Sequence, residues 1–141
     1  MHLGFRRREL IVLYGAPYPI EKHPLGLLHS QAGIDQVRSD ILILLLTNPG
    51  ERVMLPQYGT ALRSLIFDPN DNTLAETARQ MIIQSLNTWE PRVAFQSIEV
   101  TNEFNESGVN SEHVLYIRIE FIDPGNIANI QVLVLEVPLS A

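Results

Sequence analysis

The acidic side chains are the residues of this chain that could support acid catalysis. A glycosidase places two carboxyl groups across the scissile bond and keeps one of them protonated. The candidates are Glu51, Asp68, Asp71, Glu76 and Glu90. The two aspartates suit a turn, Glu76 suits a helix cap, and each remaining glutamate has an arginine close by in sequence. Because a nearby arginine lowers a carboxyl pKa, the pattern does not favour a general acid, and a glycosidase is the alternative hypothesis.

Other catalytic and ligand-binding patterns are absent from the sequence. The histidines have no metal-ligand spacing, and they are His2, His23, His29 and His113. The chain has no cysteine, which excludes disulfides and thiolate metal sites. It also has no G-x-S-x-G elbow and no glycine-rich phosphate loop. Met81 and Trp89 share a helical stripe and are interpreted as core residues. We therefore predict no catalytic, cofactor-binding or metal site.

Composition bounds the kind of partner that the chain can bind. Its 141 residues are 45% hydrophobic and 18% charged, with a net charge of −6, which is typical of one folded domain. The only cationic cluster is Arg6-Arg7-Arg8, interpreted as a solvated or partner-facing patch in preference to a nucleic-acid arm. The longest apolar run, Ile41 to Leu46, is much shorter than the roughly 20 residues of a bilayer span. We expect neither nucleic acid nor membrane binding.

Two charged corners stand out along the chain. Proline cannot continue a helix, so Trp89-Glu90-Pro91-Arg92 predicts a stiff corner that holds opposite charges beside an aromatic ring. A similar corner, Asn48-Pro49-Gly50-Glu51-Arg52, follows an earlier apolar helix. Such a corner can pin a helix to its own sheet or orient a partner chain. Local residues favour the first reading, and the presence of two corners shifts the balance towards the second.

Helical spacing and turn residues predict the first part of the fold. Residues 1–32 are punctuated by glycine and proline, which indicates an extended N-terminal arm. A helix is predicted from Ile34 to Leu46, and a short one from Thr60 to Phe67. A third helix is expected to begin at a capping box formed by Thr73 and Glu76 and to run to Trp89. Its apolar stripe is made of Leu74, Ala78, Met81, Ile82, Leu86 and Trp89.

After Pro91 the apolar period changes from helical to alternating. Val93 and Phe95 alternate, then Ile98 and Val100 alternate in the opposite phase, which predicts a bulge near Gln96 or Ser97. Two more strands are predicted, at 114–122 and 130–137. We therefore expect an α+β fold, with two to three N-terminal helices packed on a C-terminal three-stranded antiparallel meander. Residues 33–141 would form a single domain behind the extended arm.

The last predicted strand is apolar on both faces. Its sequence, Ile130-Gln131-Val132-Leu133-Val134-Leu135-Glu136-Val137, indicates burial on both sides. A three-stranded sheet with helices on one face leaves its other face and an edge uncovered. Either the arm covers them or another protein does, because an uncovered apolar edge promotes aggregation. The residues themselves leave both possibilities open.

The two corners together resemble a known family. One segment runs from Leu44 to Gly59 and contains Thr47, Gly50-Glu51-Arg52 and Pro56; the other is Glu90-Pro91-Arg92-Val93. This pairing resembles the gene 25-like baseplate wedge family of contractile-tail phages, which includes the equivalent subunit of type VI secretion systems. The resemblance covers Ile34 to Glu136. It does not decide between a phage tail, a type VI system and an extracellular injection machine.

The resemblance implies a structural, non-enzymatic role. Family members are sheath initiators that hold the wedges of a hexagonal baseplate together, in multiple copies that we expect to be six. The implied partners are the sheath protein and other wedge proteins, and the implied location is the virion tail baseplate, assembled in the bacterial cytoplasm. The implied wedge contacts are Glu90, Pro91, Arg92, Gly50, Glu51 and Arg52. The sheath-facing strand would present Ile130, Val132 and Val134. The family's lysozyme-like label keeps a peptidoglycan-degrading glycosidase of the tail as the alternative.

Overall fold

Helices cover one face of an antiparallel sheet in the computed structural model of this chain. The structure describes residues 14–26, 30–68, 72–101, 114–123 and 125–138. Its elements are β1 (Tyr14–Gly15), β2 (Gln31–Ala32), α1 (Ile34–Leu46), a 3-10 helix (Ala61–Phe67), α2 (Asn72–Trp89), β3 (Ala94–Thr101), β4 (Val114–Asp123) and β5 (Asn126–Pro138). The main sheet has the order β3-β4-β5, with both pairings antiparallel. The predicted α+β fold with a C-terminal meander is confirmed.

The core forms around the central strand of the sheet. Alternate residues of β4 are fully buried, and they are Leu115, Ile117, Ile119 and Phe121. The apolar stripes of the two helices close over them, with Val37, Ile41, Leu44 and Leu45 from α1 and Leu74, Ala78, Ile82 and Leu86 from α2. Met81 and Trp89 pack against this core at its margin, which agrees with their interpretation as core residues. The side chains that repeat every two residues on β4 and every 3.6 residues on the helices therefore pack into one apolar layer.

The predicted bulge in β3 is confirmed. Phe95 lies opposite Phe121 and Ser97 lies opposite Glu120, so Gln96 is the extra residue. The insertion reverses the alternation, which explains why Phe95, Ile98 and Val100 all pack against the core although their spacing changes.

The start of α2 differs from the prediction. The helix begins at Asn72, so Thr73 is its second helical residue and not its N-cap. Glu76 instead accepts hydrogen bonds from Arg79 and Gln80, one turn further along the helix. The capping-box prediction was wrong because Glu76 also has the spacing of a pair on the helix surface.

The final strand is longer than predicted. Asn126 already pairs with Asp123, so the hairpin connection has only two residues, and β5 starts four residues before Ile130. The Asp123 side chain accepts a hydrogen bond from the Gly125 N–H, and Asn126 accepts one from Ala128. Residues 127–129 then bulge out before the regular pairing resumes at Ile130. Local side-chain bonds at both ends of the turn allow pairing to begin immediately.

The described residues before α1 lie against that helix. β1 and β2 form a short antiparallel ribbon. The hydroxyl of Ser39 on α1 accepts a hydrogen bond from the Tyr18 N–H and donates one to Gln31, at 3.1 and 2.8 Å. These two bonds attach Tyr18 and Gln31 to the helix. The division into an arm (1–32) and a domain (33–141) stays a prediction.

Within the described ranges, no helix has the length and apolar character needed to cross a membrane. The same part of the chain holds no cluster of three His, Asp or Glu side chains that could bind a metal ion.

The central strand should dominate stability. Ile117→Ala removes a fully buried side chain from β4, and we expect it to lower the free energy of unfolding by about 2–5 kcal/mol. Val134→Ala removes a similar side chain that is 60% exposed, and should change that free energy by less than about 0.5 kcal/mol. Urea denaturation measures both variants. Equal losses would show that β4 is not the centre of the core.

Candidate docking corner and sheet edge

The loop between α1 and the 3-10 helix has a tightly defined backbone. The Thr60 N–H donates to the Thr47 carbonyl at 2.8 Å, which closes the loop at its base. Inside it, the Gly50 N–H donates to the Pro56 carbonyl at 2.7 Å. Gly50 and Gly59 have positive φ angles of 93° and 124°, which favour glycine. Residues 47–60, which we call the corner loop, therefore form a closed unit.

Stacked side chains join the corner loop to the end of α2. The Arg52 guanidinium lies 3.9 Å from the centre of the Tyr58 ring. The Tyr58 ring in turn packs edge-on against Trp89, with 5.3 Å between the ring centres and 62° between the planes. Ser85 of α2 also donates a hydrogen bond to the Gly59 carbonyl. Burial raises the pKa of the Tyr58 hydroxyl above its usual value, with Arg52 acting in the opposite direction. The structure thus brings the two corners together through Tyr58 and Trp89, which are 31 positions apart in the sequence.

Glu90 and Arg92 form an ion pair at the second corner. Glu90 is 8% exposed, and Arg92 Nη2 donates to its two carboxylate oxygens at 3.0 and 3.3 Å. The Glu90 N–H donates to the Leu86 carbonyl, and the Val93 N–H donates to the Glu90 carbonyl, so the backbone turns sharply around the carboxylate. Pro91 is exposed, and the side chain of Arg92 is 52% exposed. The carboxylate is therefore internal, whereas the guanidinium is accessible.

The predicted residues Gly50, Glu51 and Arg52 are all exposed on the corner loop. Glu51 accepts hydrogen bonds from the backbone and side-chain N–H groups of Asn48, at 3.0 and 2.8 Å. These bonds, followed by the charge of Arg63, hold the pKa of Glu51 below its usual value. A hydrogen bond from Gln80 similarly lowers the pKa of Glu76. Both shifts are opposite to what a general acid requires. Asp71 lies outside the described residues.

β5 forms one edge of the sheet and presents an apolar outer face. Its inner face is buried at Leu133 and Val137, but Ile130, Val132 and Val134 are 51%, 38% and 60% exposed. The burial expected on both faces of this strand is therefore present on one face only within the described structure. Arg38 of α1 reaches the outer edge, donating to the Gln131 side chain and to the Val132 carbonyl.

Sequence reasoning missed the stacking role of Tyr58 and the exposed tip of the corner loop. Val53 and Met54 at that tip are each 92% exposed. The sequence does contain one hint: it places an aromatic residue, Tyr58, in the loop and another, Trp89, at the end of α2. Local periodicity does not reveal that these two rings touch, because their contact depends on how the loop folds back.

Residues 31–122 match the profile of the family described as "Baseplate wedge protein gp25", which is well over half of the 141 residues. The chain belongs to this family. The matched region contains both corners, β3 and all of β4 except its last residue. Membership in the baseplate wedge family gives the chain a structural place in the baseplate of a contractile tail, as the resemblance implied. The comparison with curated proteins gives no match.

Solved structures share the fold of this baseplate wedge protein. A protein named as a tail lysozyme of Geobacter sulfurreducens is 26% identical, with a TM-score of 0.64, covering 75% of this chain and 90% of that one. A chain of the anti-feeding prophage baseplate is 23% identical with a TM-score of 0.66, covering 85% and 89%. A chain of the type VI secretion baseplate complex is 18% identical with a TM-score of 0.54, covering 75% and 93%.

The two glycines of the corner loop should differ in their tolerance of alanine. A Cβ at Gly59 would collide with the Thr47 carbonyl, whereas nothing lies within 4 Å of the equivalent position at Gly50. We expect Gly59→Ala to cost about 2–4 kcal/mol, from backbone strain and overlap together. Gly50→Ala carries only the strain and should cost about 1 kcal/mol. Thermal and urea unfolding of the matched pair measure the difference. Equal costs would contradict the close approach at Gly59.

Proposed function

We propose that this baseplate wedge protein initiates the contractile sheath by offering the edge of β5 to a strand of the first sheath subunits. The observation that carries the proposal is the exposed apolar stripe of Ile130, Val132 and Val134 on an edge strand. A foreign strand paired there gains main-chain hydrogen bonds from the edge and side-chain contacts from the stripe.

Backbone geometry supports the open edge. Arg38 reaches the Val132 carbonyl from outside the sheet, so the polar groups of Val132 point away from β4. The N–H and C=O of alternate residues on a strand share a direction, so those of Ile130 and Val134 also point outward. Residues 130–137 contain no lysine or proline, the residues that commonly protect sheet edges from pairing. This edge has the features of a strand acceptor.

The opposite edge is a poorer acceptor. β3 is eight residues long, against thirteen for β5, and it is interrupted by the bulge at Gln96. Arg79 of α2 donates to the Ile98 carbonyl at 3.0 Å and so occupies part of that edge, whereas the corresponding contact on β5, from Arg38 to the Val132 carbonyl, is longer at 3.5 Å. The groove along β3 is lined largely by polar side chains, including Gln96, Ser97 and Thr101. A partner strand would gain less apolar contact there than on β5.

The corner would serve a different partner. The buried Glu90 holds Arg92 by an ion pair, and the exposed part of the Arg92 guanidinium can then bind a carboxylate on another wedge protein. Pro91 and the corner-loop residues Gly50, Glu51 and Arg52 would complete the contact. The proposed assembly contains multiple copies, expected to be six, on the tail baseplate and is built in the bacterial cytoplasm.

The proposed role is non-enzymatic. The similar structure from Geobacter sulfurreducens carries the name of a tail lysozyme. In this chain the described candidate carboxylates have structural partners or sit exposed at a helix end: Glu51 on Asn48, Glu76 on Gln80, Glu90 on Arg92, and Asp68 at the end of the 3-10 helix. A glycosidase is therefore the alternative function, and the lowered pKa values of Glu51 and Glu76 do not support either of them as its general acid.

A proline on β5 should separate folding from sheath nucleation. The N–H of Val134 points away from β4, so Val134→Pro removes no internal ladder bond and should keep the fold. It does remove a donor from the edge and blocks close approach of a fourth strand. We expect sheath assembly on baseplates carrying this variant to fall at least about tenfold, since several main-chain bonds are lost together. Sheathed tails counted by electron microscopy give the measure.

Val134→Thr is the matched control for that experiment. It keeps the N–H and the branched shape, and should nucleate sheath normally. Deleting β5 would be a weaker test, because Leu133 and Val137 belong to the core. Normal sheath formation by a folded Val134→Pro variant would rule out this edge as the acceptor.

Reversing the charge at the second corner should block incorporation into the baseplate wedge. Arg92→Glu removes the accessible guanidinium and leaves Glu90 facing a like charge. Arg118→Glu is the matched control, because Arg118 is 53% exposed and pairs with Glu120 two residues along the chain at 2.8 Å. Arg118→Glu should lose about 1 kcal/mol of stability, whereas Arg92→Glu should lose about 3–5 kcal/mol, because it leaves the internal Glu90 carboxylate unpaired. Urea denaturation establishes that both variants are folded before their binding is compared. Only Arg92→Glu should fail to co-purify with the other wedge proteins of the same baseplate. Equal co-purification of the two variants would contradict the role of the corner.

A further inference from the structure

A cleft lies beside the C-terminal end of β5, on the face of the sheet that the helices cover. It is lined by Leu45 and Leu46 at the end of α1, Leu62 of the 3-10 helix, and Val137 and Pro138 of β5. Leu45, Leu62 and Val137 belong to the hydrophobic core, so the core borders the cleft directly. The cleft has a volume of about 270 Å³. Small-molecule sites enclose roughly 300–1,000 Å³, so this cleft has the size for one bulky side chain.

The cleft lies where a strand paired with β5 would place a side chain. The main-chain groups of Val132 point away from β4, and those of Val134 and Glu136 do the same because the direction alternates along a strand. A fourth strand would lie about 4.8 Å beyond β5. Its residue opposite Val137 would project to the same face of the sheet as Val137, since directly opposite side chains share a face. On that face the ends of α1 and the 3-10 helix form the cleft.

A polar side chain occupies the other end of the same edge. Arg38 of α1 donates to the Gln131 side chain at 2.7 Å and to the Val132 carbonyl at 3.5 Å. A side chain of the fourth strand would meet this guanidinium near Val132, whereas near Val137 it would meet leucines. The apolar position is therefore at the C-terminal end of β5, roughly 17 Å along the strand from Val132.

The charged residues at the cleft favour an uncharged occupant. Arg63 and Glu136 also line it, and both are exposed. Because their charges are opposite, neither a cationic nor an anionic side chain is attracted by both of them. The leucines beneath penalise the burial of either kind of charge. An apolar side chain gains contact with these leucines and loses no hydration of a charged group.

We propose that this cleft binds a bulky apolar side chain, the size of leucine or larger, from the sheath strand that pairs with β5. The inference rests on the proposed function, because it names one residue class of the strand that the β5 edge receives. Main-chain bonds accept a strand of almost any sequence, whereas a side-chain pocket selects among strands. The cleft also fixes the register, since a slip of one residue would turn the apolar side chain to the outer face of the sheet.

Filling the cleft tests the proposal. Leu46 is half-buried in its wall, so Leu46→Trp puts a larger side chain there without altering a core residue. Ile43→Trp is the matched control, because Ile43 is also half-buried on α1 and is not among the lining residues. We expect Leu46→Trp to lower the yield of sheathed tails about ten- to hundredfold, the effect of leaving one bulky apolar side chain unburied.

The control and the folding measurement complete that experiment. Ile43→Trp should change the yield of sheathed tails by less than about twofold. Both variants should unfold at the urea concentration of the unchanged chain, because each altered side chain is only half-buried. A normal yield of sheathed tails from a folded Leu46→Trp variant would overturn the proposal.

Thiol labelling measures whether the cleft is occupied. The chain has no cysteine, so Leu46→Cys and Ile43→Cys each introduce a single thiol. A maleimide should label Leu46→Cys in the free subunit and in baseplates assembled without the sheath protein, and this labelling should be lost in sheathed tails. Ile43→Cys should keep its labelling in all three. Loss of Leu46→Cys labelling already in baseplates without sheath would assign the cleft to a wedge protein and overturn the proposal.

The end of the chain itself is the competing occupant. Leu139 follows β5 and lies outside the described residues. We expect Leu139→Ser to leave both the urea midpoint and the labelling of Leu46→Cys in the free subunit unchanged. A Leu46→Cys thiol that is protected in the free subunit and becomes reactive when Leu139→Ser is added would place Leu139 in the cleft and overturn the proposal.

The outcomes distinguish this inference from the proposed function. If folded Val134→Pro forms sheath normally, the proposed function fails and the inference fails with it. If Val134→Pro blocks sheath formation and Leu46→Trp does not, the assignment of the cleft alone is overturned. Loss of sheath in Leu46→Trp, together with protection of Leu46→Cys in sheathed tails only, supports it.

Discussion

The stacking of Tyr58 between Arg52 and Trp89 connects the parts of this molecule that are proposed to face a partner. Trp89 ends α2, whose other apolar residues lie in the core, so its position is set by helix packing. Tyr58 packs against Trp89 and so holds the corner loop in place, and Arg52 covers the face of the Tyr58 ring. A loop of this length would otherwise sample many conformations, and fixing each residue costs about 1–2 kcal/mol. The aromatic contact and the closing backbone bonds offset that cost, which makes a loop usable as a rigid surface.

Much of the fold was predictable because its local patterns agree with its packing. α1 has the predicted bounds, Ile34 to Leu46, since an apolar stripe ends at a proline and a glycine. The β3 bulge followed from a change of phase between Phe95 and Ile98, because side chains alternate strictly on a strand and only an inserted residue reverses them. The start of α2 was mispredicted by two residues, because Glu76 fits both a capping box and an i, i+4 pair. Such ambiguity is local and has little effect on the core.

The candidate site was predictable as two separate corners but not as one surface. Glu90, Pro91 and Arg92 could be recognised by type and spacing, whereas their proximity to the corner loop depends on a contact between Tyr58 and Trp89. Two-residue and 3.6-residue periods report which face of an element is buried, and they contain no information about rings that meet across a loop. The exposed positions of Val53 and Met54 were hidden for the same reason, since valine and methionine are usually buried.

The apolar composition of β5 is best explained by pairing with another protein, because an exposed apolar edge strand promotes aggregation of a protein that stays alone. Edge strands are usually protected by lysine, proline or a covering segment, and Glu136 is the only charged residue between Ile130 and Val137. Val132 and Val134 could be replaced by threonine with no loss to the core, since their side chains lie on the outer face. Apolar residues there add side-chain contact to the main-chain bonds of a paired strand. Val53 and Met54 of the corner loop are likewise apolar and exposed. A small body that exposes apolar groups at two fixed places, and buries its charged Glu90 between an arginine and the core, has the surface of a subunit whose final environment is a larger assembly.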